Sequence, residues 1–97
     1  MSAFFVAAIQ IKDPEKFQEY VSQTGATFAL FGGELLTRGR ADHALNGELD
    51  HQAVGIVKFP NMEALDNWYQ SAEYQALIPL RDQAASVTLV AYNEPPA

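Results

Sequence analysis

The sequence "AFFVAAIQIK", residues 3–12, decides the fold, because it is apolar at almost every position and is bounded by polar residues. A β-strand places alternate side chains on opposite faces of its sheet. Both faces of this strand are apolar: one carries Phe4, Val6 and Ala8, and the other carries Phe5, Ala7, Ile9 and Ile11. A sheet with one solvated face shows an alternating pattern instead. We therefore expect this strand to be covered on both faces.

Helix and turn signals divide the rest of the chain. Asp13-Pro14 is typical of a helix start, and Gly32-Gly33 is typical of a helix end. Pro79 either interrupts the second helical region or begins a new turn that runs to about Ala85. The predicted elements are strands at 3–12, 34–40, 51–59 and 86–92, a helix from Pro14, a helix capped by Asn61 and a short helix capped by Ser71. This β-α-β-β-α-β order predicts an α+β, ferredoxin-like fold, with a four-stranded antiparallel sheet and both helices on one face.

The last predicted strand repeats the two-sided pattern of the first. Val87, Leu89 and Ala91 lie on one of its faces, and Val90 and Tyr92 lie on the other. Helices on one side of the sheet leave the second apolar face exposed to water. We therefore predict a homodimer in which two sheets pack face to face, related by two-fold symmetry.

Length and composition exclude several classes of protein. The 97 residues predict a single domain, 1–97, with a short tail at "NEPPA". The excess of 12 acidic over 6 basic residues argues against nucleic acid as a partner. Without cysteine the chain has no disulfide, thiolate metal site or thiol nucleophile. "FFVAAIQI" is too short to span a membrane, so we expect a cytoplasmic protein without a membrane partner. No cofactor is expected.

The loop "ADHALNGELDH", residues 41–51, holds both histidines. Asn46-Gly47 predicts a hairpin turn of type I′. In that register the opposed residues are His43 with Asp50 and Asp42 with His51. The two pairs project from opposite faces of the ribbon, so they cannot converge on one metal ion, and we predict exposed ion pairs without a metal site. A catalytic Asp-His dyad that uses His43 or His51 remains the alternative.

Four further stretches resemble one known family. "DPEKFQEY", "GGELLTRG", "VGIVKFPNMEAL" and "WYQSAEYQALIPLR" occur in this order over nearly the whole chain, which is similar to the DUF1330 family. The resemblance implies a ferredoxin-like fold and a barrel-forming dimer of the dimeric α+β barrel superfamily. It does not imply a reaction, although that superfamily includes cofactor-independent monooxygenases, isomerases and haem enzymes. A pocket between the sheet and the helices is expected by analogy of fold alone.

Aromatic residues and arginines are the best candidates for a ligand site. Trp68 belongs either to the core or to a pocket wall. Tyr74 and Arg81 share a helical face, and Arg81 either pairs with Glu73 or a dimer mate, extends to solvent, or grips a carboxylate or phosphate. Alternation along the second strand places Arg38 beside Leu36 and Glu34, facing either the cavity or the dimer. The ligand-binding candidates are Arg38, Trp68, Tyr74 and Arg81.

Two functions fit these residues. The first is a dimer that binds a small anionic or aromatic ligand without catalysis. The second is a cofactor-independent enzyme, an oxygenase or isomerase, in which Arg38 or Arg81 polarises the substrate and His43 or His51 moves a proton. Placement of both histidines outside the pocket would weaken the second hypothesis, because the pocket would then lack an obvious base.

Overall fold

The predicted ferredoxin-like order is confirmed. The computed structural model describes residues 1–95, so the last two residues of the predicted tail, Pro96 and Ala97, lie outside the described residues. The elements in chain order are β1 (Ala3–Ile11), α1 (Pro14–Ala29), β2 (Glu34–Arg40), β3 (Ala53–Phe59), α2 (Met62–Gln70), α3 (Ala72–Gln75), α4 (Ile78–Ala84) and β4 (Ala85–Asn93). β4 thus extends one residue into the predicted tail.

The strands form one four-stranded sheet in the order β2-β3-β1-β4. β1 pairs antiparallel with both β3 and β4, so it is a central strand. Phe5 on β1 pairs with Val57 on β3 and Ala91 on β4, and these three side chains therefore lie on the face covered by the helices. We call this the helix face of the sheet and the opposite side the outer face.

The helices begin and end where local chemistry predicts. Asp13, Asn61 and Ser71 each accept a hydrogen bond from the backbone N–H three residues later, and so cap α1, α2 and α3. Gly32, with φ of 78°, follows the end of α1 in a conformation that favours glycine. Pro79 lies in the first turn of α4, so it begins a helix, as one of the two alternatives predicted. No helix within residues 1–95 has both the length and the apolar content to cross a membrane.

Aromatic side chains pack between the helix face and the helices α2 and α3. The rings of Phe5 and Trp68 stack with centroids 4.9 Å apart, and Phe59 lies 5.7 Å from Trp68. Phe59, Trp68 and Tyr74 are all buried. Burying rings of this size contributes much of the stability of a small core.

The loop between β2 and β3 differs from the predicted hairpin. β3 begins at Ala53, and no strand is present between Arg40 and Ala53. Among residues 1–95 only glycines have positive φ, and Gly47 is one of them. A type I′ turn requires positive φ at both central residues, so Asn46 excludes this turn and the prediction is wrong.

The predicted cross-strand pairs are therefore also wrong. His43 Nδ1 lies 2.6 Å from the carboxylate of Asp42, and His51 Nδ1 lies 2.9 Å from that of Asp50. Each histidine contacts the aspartate that precedes it in sequence, so neither contact depends on strand pairing. The hydrogen bond from His51 lowers the pKa of Asp50. All four side chains belong to an irregular loop on the surface.

Candidate functional site

A cavity of about 680 Å³ lies between α1 and the helix face of the sheet. Its wall is largely aromatic and aliphatic, with contributions from Phe5, Phe17, Phe28, Val57, Trp68 and Leu89. α1 supplies this wall because its apolar residues recur at helical spacing along one side. A concave apolar site with a few polar groups is typical of small-molecule binding.

Trp68 belongs to both the core and the cavity wall. It is 2% exposed, and its ring stacks on Phe5. Its Nε1 donates a hydrogen bond of 3.0 Å to the hydroxyl of Thr27. The polar edge of the indole is thus satisfied within the protein, and what Trp68 contributes to the cavity is an aromatic surface.

A β-bulge in β2 changes the face on which Arg38 lies. The pairing with β3 skips one residue between Leu35 and Thr37, so Leu36 has no partner. After the skip Arg38 pairs with Gly55, which lies on the helix face. The predicted grouping of Arg38 with Leu36 is wrong, because an extra residue in one strand reverses the alternation beyond it.

The bulge places two arginines at the cavity. Arg38 and Arg40 both line it, and both are exposed to solvent at its rim. Among residues 1–95 neither guanidinium lies within 4.0 Å of a carboxylate oxygen. A guanidinium offers several N–H donors in a planar fork that fits a carboxylate. The rim of an apolar cavity therefore carries two positive groups available to an anion.

Arg81 lies at a different cavity. It lines a smaller space of about 260 Å³, and that space shares Phe5 and Trp68 with the larger one. Arg81 Nε donates to Asp82 at 3.0 Å and Nη1 donates to the hydroxyl of Tyr74 at 3.1 Å. Arg81 thus pairs with Asp82, within the chain. Neither of these two cavities is lined by both Arg38 and Arg81.

The surroundings of Arg81 keep it charged. Burial lowers the pKa of Arg81, but the hydroxyls of Tyr69 and Tyr74 and the carboxylate of Asp82 outweigh burial, so the pKa lies above its ordinary value. The side chain is only 13% exposed. A charged group at this depth requires such partners.

Tyr74 does not line either of these cavities. It is fully buried, and its hydroxyl lies 2.9 Å from that of Tyr20 on α1. Tyr20 in turn lines the large cavity. Tyr20, Tyr74, Arg81 and Asp82 thus form a continuous series of hydrogen bonds, which we call the tyrosine–arginine chain.

Tyr20 is a residue of the cavity that the sequence did not single out as a site candidate. Burial, followed by the charge and hydrogen bond of Tyr74, raises the pKa of Tyr20. The hydroxyl therefore stays protonated at ordinary pH. A tyrosine beside the apolar stripe of a helix was the available signal, but its partner lies 54 residues away in sequence.

Neither histidine lines the large cavity. The side chain of His43 is 68% exposed, and His51 lines a third cavity together with Lys12 and Arg40. The residues that line the large cavity include no His, Asp or Glu. Within residues 1–95 no three His, Asp or Glu side chains are grouped closely enough to hold a metal ion.

Comparison with known proteins identifies a family and a fold. A family model described as Domain of unknown function (DUF1330) matches residues 2–94, which confirms the resemblance inferred from sequence. No match is found among curated proteins.

Similar solved structures share the fold. A protein of unknown function from Rhodopseudomonas palustris aligns with a TM-score of 0.84 at 16% identity, over 99% of this chain and 84% of that one. SnoaB, a cofactor-independent oxygenase from Streptomyces nogalater, aligns at 0.72 and 13% identity, over 99% and 95%. A dabb family protein with a ferredoxin-like fold from Mesorhizobium loti aligns at 0.72 and 9% identity, over 98% of each chain. Identities this low establish the fold alone.

Proposed function

The chain belongs to the DUF1330 family of domains of unknown function, and from the geometry of its large cavity we propose that it binds a small anionic ligand with an aromatic or apolar body. The ligand lies between α1 and the helix face of the sheet. Its anionic group faces Arg38 and Arg40 at the rim, and its body packs against Trp68. Tyr74 and Arg81 act behind the cavity wall and do not touch the ligand.

The observation that carries this proposal is the pairing of an apolar cavity with two arginines that have no carboxylate partner among residues 1–95. The chain carries a net charge of −6, but two of its six basic residues lie together at the cavity rim, so the rim is positive while the protein as a whole is negative. Such a rim favours a carboxylate over a neutral or cationic group of the same shape.

The cavity supports binding better than catalysis. General acid–base chemistry needs a titratable group within reach of the substrate whose pKa lies near the operating pH, and burial raises the pKa of Tyr20, which lines the cavity, away from that range. The histidines predicted as its source lie on the surface loop, and the side chains that line the cavity include no carboxylate. The oxygenase SnoaB has a similar fold, but fold similarity does not transfer a reaction.

The outer face supports the homodimer as part of the same proposal. β1 presents Phe4 there, stacked on Tyr92 with centroids 5.2 Å apart. Val90 and Tyr92 remain 43% and 45% exposed on this face. An apolar surface that extends across a central strand and its neighbour is typical of a protein interface. We propose that a second copy of the same face covers it.

Binding of trans-cinnamate tests the ligand proposal. Cinnamate joins an aromatic ring to a carboxylate, and cinnamyl alcohol has a similar shape without the charge. We expect wild-type protein to bind cinnamate more tightly than the alcohol in isothermal titration calorimetry. Arg38→Met should weaken cinnamate binding about tenfold, or about 1.4 kcal/mol, since a charge-assisted contact is lost, and should leave alcohol binding unchanged.

Lys16→Met provides the matched control. Lys16 is an exposed cation on α1 whose Nζ donates to Gln83, away from the large cavity. This variant removes the same charge, so cinnamate affinity should stay within about twofold of wild type if local contact decides it. Equal losses of cinnamate affinity in both variants would show that Arg38 acts only through the net charge of the protein. An absence of cinnamate binding to wild type would refute the proposal.

A further inference from the structure

The directions of the hydrogen bonds in the tyrosine–arginine chain can be derived from the donors and acceptors present. A guanidinium donates and cannot accept, so Arg81 Nη1–H donates to the oxygen of Tyr74. The only other described side-chain partner of the Tyr74 hydroxyl is the oxygen of Tyr20, at 2.9 Å. If Tyr74 uses its own proton in a hydrogen bond, that proton is donated to Tyr20.

One phenolic proton of the chain has no acceptor among the described residues. Tyr20 and Tyr74 carry one hydroxyl proton each, and a single contact joins the two oxygens. If Tyr20 donated to Tyr74, the unused proton would sit on Tyr74, which is 0% exposed. A buried hydroxyl proton without an acceptor is costly. The unused proton therefore belongs to Tyr20, the member of the pair that lines the large cavity.

Other hydroxyl and indole donors at the cavity are already occupied. Trp68 Nε1 donates to Thr27, and the hydroxyl of Thr24 donates to the carbonyl of Val21 at 3.0 Å. Apart from the arginines at the rim, Tyr20 is thus the side-chain donor left for a ligand among the described residues that line the cavity.

We propose that Tyr20 is a specificity-determining residue that donates its hydroxyl proton to an uncharged oxygen of the ligand, while Arg38 and Arg40 hold the anionic end. The ligand class is thereby narrowed to aromatic or apolar carboxylates that carry a second acceptor, such as a ketone carbonyl. This inference rests on the proposed function of the large cavity. Tyr74 and Arg81 are positioning residues, because they act on the ligand only through the orientation of the Tyr20 hydroxyl. The raised pKa of Tyr20 is consistent with a hydroxyl that stays a donor.

Matched pairs of carboxylates test the inference by calorimetry. The ketones are meta-acetylbenzoate, para-acetylbenzoate and para-acetylcinnamate, which place the carbonyl at three distances from the carboxylate. Each is compared with its isopropenyl analogue, in which a C=CH2 group replaces C=O. Wild-type protein should prefer the ketone by about fivefold in at least one pair, as expected for one hydrogen bond. Tyr20→Phe should abolish that preference and leave the affinity for the isopropenyl analogue within about twofold.

Two further variants distinguish a specific role of the Tyr20 hydroxyl from a general change in the cavity. Thr24→Val removes a cavity hydroxyl whose proton is already used, so the ketone preference should survive. Arg81→Met should reduce the ketone preference more than the affinity for the isopropenyl analogue, whereas a merely structural role would weaken both equally. If the carboxylates bind through Arg38 but no pair shows a ketone preference that depends on Tyr20, this inference is wrong and the proposed function stands. If none of the six compounds binds wild-type protein, both are wrong.

Discussion

The two faces of the sheet are alike in sequence and different in what covers them. On the helix face, Phe5 stacks on Trp68 beneath α1 and α2, and the buried indole N–H has a hydroxyl partner. On the outer face, Phe4 stacks on Tyr92, and Tyr92 stays 45% exposed to solvent. Apolar residues alone therefore do not distinguish a face that the chain covers itself from one that it leaves open. What distinguishes the helix face is the layer of helices over it and the cavity whose rim carries Arg38 and Arg40.

Removing a ring from each face should give the largest contrast. Phe59 is 1% exposed on the helix face, so Phe59→Ala should reduce the free energy of unfolding by about 3–5 kcal/mol through lost burial and the cavity left behind. Urea denaturation followed by the fluorescence of Trp68, the only tryptophan, measures this loss.

Tyr92→Ala is the matched change on the outer face. Tyr92 is 45% exposed, so its loss should cost well under half as much at low protein concentration. If the outer face is a dimer interface, that cost should grow with protein concentration, because association stabilises the folded state. A concentration-independent loss as large as that of Phe59→Ala would contradict the distinction between the faces.

A charge on the outer face should show whether a second copy covers it. Wild-type protein should sediment as a dimer at micromolar concentration. Val90→Lys should raise the dimer dissociation constant about a hundredfold, or about 2.7 kcal/mol, since an unpaired ammonium would be buried in each copy. Leu45→Lys adds the same charge to a loop residue that is 93% exposed, and should leave the dimer intact. A monomeric wild type at tens of micromolar would refute the dimer.

Much of the fold could be predicted because its signals are local. The alternation of β1 places Phe5 and Ala7 on one face, and both are buried there beneath the helices. Asp13, Asn61 and Ser71 mark helix starts because each cap is satisfied within four residues of chain. These features depend little on what happens elsewhere in the molecule.

The candidate site was less predictable because it depends on distant partners. The bulge at Leu36 arises from the pairing with β3, and no glycine or proline marks it in the sequence, so alternation grouped Arg38 with Leu36 and left its face open. Tyr20 meets Tyr74 only when α1 packs near α3. The prediction for the histidine loop was wrong for the opposite reason. Asn46-Gly47 is a strong local turn signal, but without paired strands on either side it did not form the predicted hairpin.

The smallest expected effect lies at the end of the outer face. The hydroxyl of Ser2 donates to the Glu94 carboxylate, and Lys58 Nζ lies 3.0 Å from the same group. The hydrogen bond from Ser2, and then that from Lys58, lower the pKa of Glu94 below its ordinary value of 4.5. Glu94 therefore stabilises the fold above pH 4.5, and this contribution is lost as the pH falls through the lowered pKa of the folded state.

Glu94→Gln should remove this dependence of stability on pH. The free energies of unfolding of variant and wild type should therefore converge as the pH falls below 4.5. Ser2→Ala and Lys58→Met should each reduce the pH dependence, because both side chains hold the pKa of Glu94 below its ordinary value. Urea titrations repeated across the acid range measure both effects. Parallel curves for Glu94→Gln and wild type at every pH would show that Glu94 titrates alike in the folded and unfolded chain.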